Sequence, residues 1–158
     1  MVLTQLIHLT QAALAVHGAT HSYAAIANLQ RYEEPTEKLA KHSDEAARQL
    51  RETRVTQAVG ALALAASLLT SLYLALQGGA LGFVLRTAVG LVVVGVLASA
   101  RARVASFWAP RDGDTVGGRV PLPKMGSYNE AQRRTQGVLR TLDWLAYSWA
   151  VVLVVGLF

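Results

Sequence analysis

Residues 55–77 read VTQAVGALALAASLLTSLYLALQ, a run of 23 residues without one charged side chain. A bilayer's hydrocarbon core takes about 20 apolar residues of helix to cross. The run is longer and more evenly apolar than the core of a water-soluble domain calls for, so it points to lipid as the solvent. The next stretch, GGALGFVLRTAVGLVVVGVLAS at 78–99, is interrupted only by Arg86. Gly78-Gly79 between the two runs supplies a turn. Together they predict an antiparallel pair of transmembrane helices.

Composition agrees with that start. Hydrophobic residues make up 53% of the 158-residue chain and charged residues only 16%, with a mean hydropathy of +0.33. This suits a helical membrane protein, and the length suits one domain over 1–158. There is no cysteine, which excludes disulfides, thiolate metal sites, a cysteine nucleophile and palmitoylation. The net charge is +5. In a soluble protein that would raise nucleic-acid binding; here it is read as membrane topology, and no nucleic-acid partner is expected.

Working outward toward the N-terminus, residues 1–30 contain no proline and one glycine, Gly18, among many Ala and Leu residues. They predict a helix. Ala25-Ile26-Ala27 resembles a signal-peptide cleavage site. However, no Lys or Arg precedes Arg31, and His8, Thr10 and Gln11 dilute any apolar h-region, so the segment is expected to belong to the mature protein. Glu33-Glu34-Pro35 is expected to end this helix and Thr36 to cap the next. From Glu37 to Arg54 charges recur at i,i+4 (Glu37–Lys41, Lys41–Glu45, Asp44–Arg48, Arg48–Glu52). That spacing predicts one long helix from Glu37 to Gln77, wet in its first half and spanning in its second.

Toward the C-terminus, Pro110, Gly113, Gly117-Gly118, Pro121 and Pro123 predict a loop over Ala109–Gly126. Ser127-Tyr128-Asn129-Glu130 has the form of a capping box opening the last helix. The fold expected is therefore all-α: an integral membrane bundle of four transmembrane helices with cytoplasmic helical extensions. The spans are placed at about 3–29, 55–77, 79–100 and 138–158, with polar segments at 31–54 and 101–137. Residues 31–54 hold six basic and six acidic side chains, and residues 101–140 hold eight and three. The positive-inside rule puts both on the cytoplasmic side of a multi-pass protein and the glycine turn opposite. Phe107, Trp108, Trp144 and Tyr147 are expected to form an aromatic belt at the inner interface.

Candidate functional residues are few. On a helical wheel Thr10, His17, His21 and Asn28 fall within about 20° of one direction. A polar stripe on a membrane helix has to meet protein or water. His17 and His21 also have the i,i+4 spacing by which two imidazoles share a metal. Two ligands do not complete a site, no HExxH glutamate accompanies them, and interhelical hydrogen bonding is the simpler role. No cofactor is therefore predicted, and a metal or haem at His17 and His21 is kept as the minor alternative. Arg86 is expected to anchor its helix by snorkelling, or to meet the Phe158 carboxylate. With Arg101, Arg103, Arg133 and Arg134 it forms the set of candidate anionic-lipid contacts. The wider basic cluster, including Arg111, Arg119 and Lys124, is explained chiefly by orientation. Ala63, Ser67 and Ser71, and Gly82, Arg86, Gly90, Gly95 and Ser99, are read as close-packing stripes.

There is no Walker loop, GxSxG or HExxH. The function expected from this pattern is that of a non-catalytic subunit, scaffold or assembly factor. It would bind membrane lipids, other membrane proteins or its own copies through helix–helix and loop contacts. The alternative is a small membrane enzyme or cofactor-binding protein using His17 and His21 on a lipidic substrate, with Tyr23, Asn28 and Tyr32 near its mouth.

Overall fold

The computed structural model describes residues 2–40, 44–77, 80–108 and 125–155. They form four helices: α1 (Val2–Ala40), α2 (Asp44–Gln77), α3 (Phe83–Trp108) and α4 (Met125–Val155). Three helices are long and apolar enough to cross a membrane, through stretches within Ala47–Gln77, Phe83–Trp108 and Asn129–Val155. α1 does not reach that hydropathy, because Thr4, Gln5, His8, Thr10, Gln11 and His17 interrupt its apolar residues.

Side-chain contacts fix the topology. A Cβ added at Gly18 would stand 2.7 Å from Thr141 Cγ2 and 2.8 Å from Leu64 Cδ2. The His8 ring lies 5.4 Å from that of Trp149. α1 therefore runs antiparallel to both α2 and α4. Trp108 meets Thr56, and one turn back along α3 Val104 stands over Gly60, where a Cβ would lie 3.7 Å from its Cγ2, so α3 is antiparallel to α2. Arg101–Asp143 and Gly90–Leu153 make it antiparallel to α4 as well. The result is an up-down-up-down bundle. α2 and α4 occupy the short diagonal, and among the described residues α1 and α3 do not meet.

Burial follows steps of three and four along every helix. On α1 the buried residues include His8, Ala12, Ala15, Ser22, Ala25 and Leu29; on α3 they are Gly90, Val93, Leu97, Ala100, Val104 and Trp108. This is the knobs-into-holes spacing of a helical bundle. One core cluster joins Ala15, Leu64, Leu74, Leu97, Leu142 and Trp149, and a second, smaller one joins Leu29, Val104, Trp108 and Ala131. Buried hydrogen bonds among the described residues tie α2 to α3 and α4. Trp108 Nε1 donates to Thr56 Oγ1 at 3.1 Å, Gln57 Nε2 to Thr135 Oγ1 at 2.8 Å, and Trp149 Nε1 to Ser67 Oγ at 3.0 Å.

Several sequence expectations are corrected. α1 does not stop at Glu33-Glu34-Pro35 but continues to Ala40, and α2 begins at Asp44. Proline removes one backbone donor, and the good helix formers on either side carry the helix past it. Glu37–Ala40 thus belong to α1, and Lys41, at the junction, lies outside the described residues. α4 starts at Met125, so Ser127 is already inside the helix. α3 continues as helix through Arg101 and Arg103 to Trp108. Most of the expected 109–126 loop lies outside the described residues. Trp108 is not part of a membrane-facing belt: it is fully buried, whereas Trp144 and Tyr147 are exposed as a belt requires. Ala63, Ser67, Ser71 and Gly90 do pack inside, but Gly95 and Ser99 face outward, and nothing lies within 4 Å of a Cβ at Gly95.

Candidate functional site

The polar stripe on α1 runs along the edge of the bundle rather than into its core. Thr10 and His17 are exposed, and His21 and Asn28 are half-buried. Thr10 Oγ1 donates to the Leu6 carbonyl at 2.9 Å, and Asn28 Nδ2 to the Ala24 carbonyl at 2.8 Å. Both bonds stay within α1, so neither residue ties it to another helix. His17 and His21 meet edge to face with ring centroids 4.8 Å apart. His21 also packs over Gly137, where a Cβ would stand 2.8 Å from its Cγ. Among the described residues no third His, Asp or Glu joins them in a metal-sized group. Tyr23 is 77% exposed and points outward; the Tyr32 side chain lies outside the described set.

What α1 does turn inward is a pair the wheel of polar residues did not select. His8 and Gln11 are 1% and 0% exposed. His8 Nδ1 lies 2.8 Å from Gln11 Oε1. An amide oxygen only accepts, so Nδ1 carries the proton. The opposite register of α1 and α2, set by Gly18 against Leu64, puts Gln11 level with Ser71. Ser67, one turn along α2, accepts from Trp149, whose ring lies beside His8. A small polar centre thus sits among α1, α2 and α4 near the end where α2 stops and α3 starts. The signal that would have found it is the three-and-four spacing of small residues, Ala12, Ala15, Gly18, Ser22 and Ala25, which defines the inner face of α1.

The candidate lipid-contact arginines fall into two groups. Arg101 makes a forked pair with Asp143, Nε to Oδ1 at 2.6 Å and Nη2 to Oδ2 at 3.4 Å. Arg103 Nη2 lies 3.5 Å from Glu52 Oε2. Arg133 and Arg134 share Glu130, at 2.8 Å and 2.7 Å. Their hydrogen bonds, Arg133 first, hold the Glu130 carboxyl below its ordinary value. Arg101 and Arg103 thus brace α3 against α4 and α2, while Arg133 and Arg134 pair within α4. Arg86 differs. It is half-buried in a crevice lined by Leu74, Thr87, Gly90, Trp149 and Leu153, and among the described residues no carboxylate pairs with it. Phe158, its expected partner, lies outside the described set.

The fold and its apolar stretches define the class: an all-helical bundle with three helices able to cross a membrane. Comparison with family models, with curated proteins and with solved structures finds no match for this chain.

Proposed function

We propose that the chain is a four-span integral membrane protein that serves as a non-catalytic subunit, scaffold or assembly factor. Its charged end faces the cytoplasm and its glycine turn the opposite side. Two arrangements support α1 as the fourth span. It packs along α2 and α4 over their apolar stretches. It also turns His8, Gln11 and Ser22 inward while exposing Val2, Leu3, Leu6, Leu9 and Val16. Buried polar groups beneath exposed Leu and Val suit a helix whose outer face meets lipid over part of its width.

The observation that carries the partner reading is the direction of the outer stripe. Thr10, Ala13, His17 and Thr20 are all exposed. Small and polar residues on a lipid-side face favour docking of another helix, since they allow close approach and interhelical hydrogen bonds. The partner helix belongs to another membrane protein or a second copy. A photo-crosslinking residue at position 13, compared with one at the exposed Val96 of α3, tests this. Protein adducts at 13 and not at 96 are expected. Equal labelling at both positions, or a strictly monomeric protein without adducts, rejects the reading.

His17→Gln and His21→Gln separate it from the catalytic alternative. Glutamine keeps a hydrogen-bonding group of similar reach but replaces imidazole neither as a metal ligand nor as a proton carrier near neutral pH. His17→Gln, at an exposed position, is expected to keep its melting temperature, His21→Gln, packed over Gly137, to lower it slightly, and both to keep the cellular phenotype. Loss of phenotype at unchanged melting would transfer the function to the histidines.

A further inference from the structure

We infer that the Arg86 crevice is a binding site for the phosphate of an anionic phospholipid, in the leaflet opposite the charged end. Fourteen of the fifteen Lys and Arg residues, and all ten Asp and Glu residues, lie outside 55–100 and 144–158. Arg86 is the one charge within those stretches. It stands in the first turn of α3, where its backbone N–H bonds the Gly82 carbonyl at 3.1 Å. The apolar helices place it close to the membrane surface. A guanidinium there is partly withdrawn from water and, unlike Arg101, Arg103, Arg133 and Arg134, is offered no carboxylate by the described residues. An unpaired cation in such surroundings is costly, and a phosphate matches its planar fork of donors.

The walls fit the rest of the molecule. Thr87 brings a hydroxyl donor beside the Arg86 guanidinium, while Leu74, Val152 and Leu153 give an apolar flank on the side of Gly90, away from the α2–α3 turn, and Phe83 flanks the guanidinium on the turn side. Gly90 and Trp149 form the floor. A Cβ at Gly90 would stand 2.9 Å from Leu153 Cδ2, so glycine keeps α3 and α4 close there. The enclosed space is about 20 Å³, on the scale of one ordered water. It is far short of the about 300–1,000 Å³ of a pocket for a soluble metabolite. A ligand held by Arg86 therefore lies along the rim, with its charge at the guanidinium and its chain on the apolar flank. That is the shape of a phospholipid.

The inference rests on α3 and α4 lying in lipid, as in the proposed function, but not on the existence of a partner for α1. Absence of crosslinks at position 13 would end the partner reading and leave this one standing.

The test is retention of phosphatidylglycerol by the full chain, measured by native mass spectrometry. The protein is taken from nanodiscs of equal parts phosphatidylcholine and phosphatidylglycerol. Arg86→Gln is expected to weaken retention about tenfold, the usual scale for one charge-assisted hydrogen bond. Arg86→Lys should restore most of it, and Thr87→Val should weaken it by a smaller factor. Arg140→Gln, an exposed arginine of the charged end, should leave this lipid in place. Unchanged retention in Arg86→Gln overturns the inference, as does an equal loss in Arg140→Gln or equal retention of phosphatidylcholine. A drop in melting temperature of Arg86→Gln without loss of lipid would give Arg86 a purely structural role, and also overturns it.

Discussion

The two ends of the bundle use the same helices and a similar core but opposite surfaces. Toward the α2–α3 turn, polar groups are inside: His8, Gln11, Ser67 and Ser71 are buried, while Leu6, Leu9, Leu72, Val84 and Val92 are exposed. Toward the other end the core also buries polar groups, Thr56, Gln57 and Thr135 beside Leu29, Val104 and Trp108, but the outer faces carry Arg31, Arg51, Arg54, Arg133 and Arg140. The change falls at a consistent level. His17 on α1, Arg101 on α3 and Asp143 on α4 lie near one plane, as the contacts Gly18–Thr141 and Arg101–Asp143 require. Trp144 and Tyr147 stand exposed just inside it. A single core spacing thus serves two solvents, and the surface, not the core, records which solvent each end meets.

That contrast can be broken most severely at Trp149. Its ring is fully buried, lies beside His8 and donates to Ser67. Trp149→Ala should cost about 3–5 kcal/mol. Detergent melting should show the loss, and exchange protection of α1 should fall at residues 2–16 before it falls at the charged end. Uniform loss along α1 would mean that the two ends do not behave separately.

A pair of glycines sharpens the same comparison between inside and outside. Gly18 sits where α1, α2 and α4 cross, and a Cβ there meets Thr141 and Leu64 below 3.0 Å. Gly18→Val should therefore destabilise by about 1–3 kcal/mol through overpacking. Gly95 faces outward with open space, so Gly95→Ala should stabilise α3 by about 0.5–1 kcal/mol through helix propensity. Melting midpoints that move the same way in both variants would contradict the placement of these two faces.

The smallest effect belongs to the charged end. Glu130 is held below its ordinary carboxyl value, about 4.5, by its hydrogen bonds to Arg133 and Arg134. A carboxyl lowered on folding contributes its stability above the unfolded value, and that stability is lost as pH falls through the folded one. A melting curve taken from pH 6 downward should decline less steeply in Glu130→Gln than in the natural chain, starting below about pH 4.5. The apolar end, without Asp or Glu, should show no matching change.

How much of this was legible in the sequence varies with the length scale of the signal. The uncharged run at 55–77 and its neighbour at 78–99 identify two spanning helices, because solvent preference is summed over twenty residues. Pro35 misled because a proline rule is local, while helix continuation depends on the formers around it. A helical wheel places Thr10, His17, His21 and Asn28 in one direction. A wheel, however, has no neighbours on it. Which way α1 turns was set by Ala12, Ala15, Gly18 and Ala25, whose smallness lets α2 and α4 approach. His8 and Gln11 became interior by sharing that face. Trp108 was assigned to the interface by residue type, and its burial follows from α3 continuing as helix past Arg101 and Arg103.

The proposed four-span topology turns on α1 crossing the membrane beside the other three helices. The chain has no cysteine, so single reporters can be placed at Leu3, at Ala80 beside the glycine turn and at Arg133 in the charged end. A membrane-impermeant thiol reagent added from one side of sealed vesicles of known orientation reads each position. Leu3→Cys is predicted to label with Ala80→Cys, from the side opposite Arg133→Cys. Labelling of Leu3→Cys together with Arg133→Cys, and protection from the Ala80 side, would contradict the four-span account.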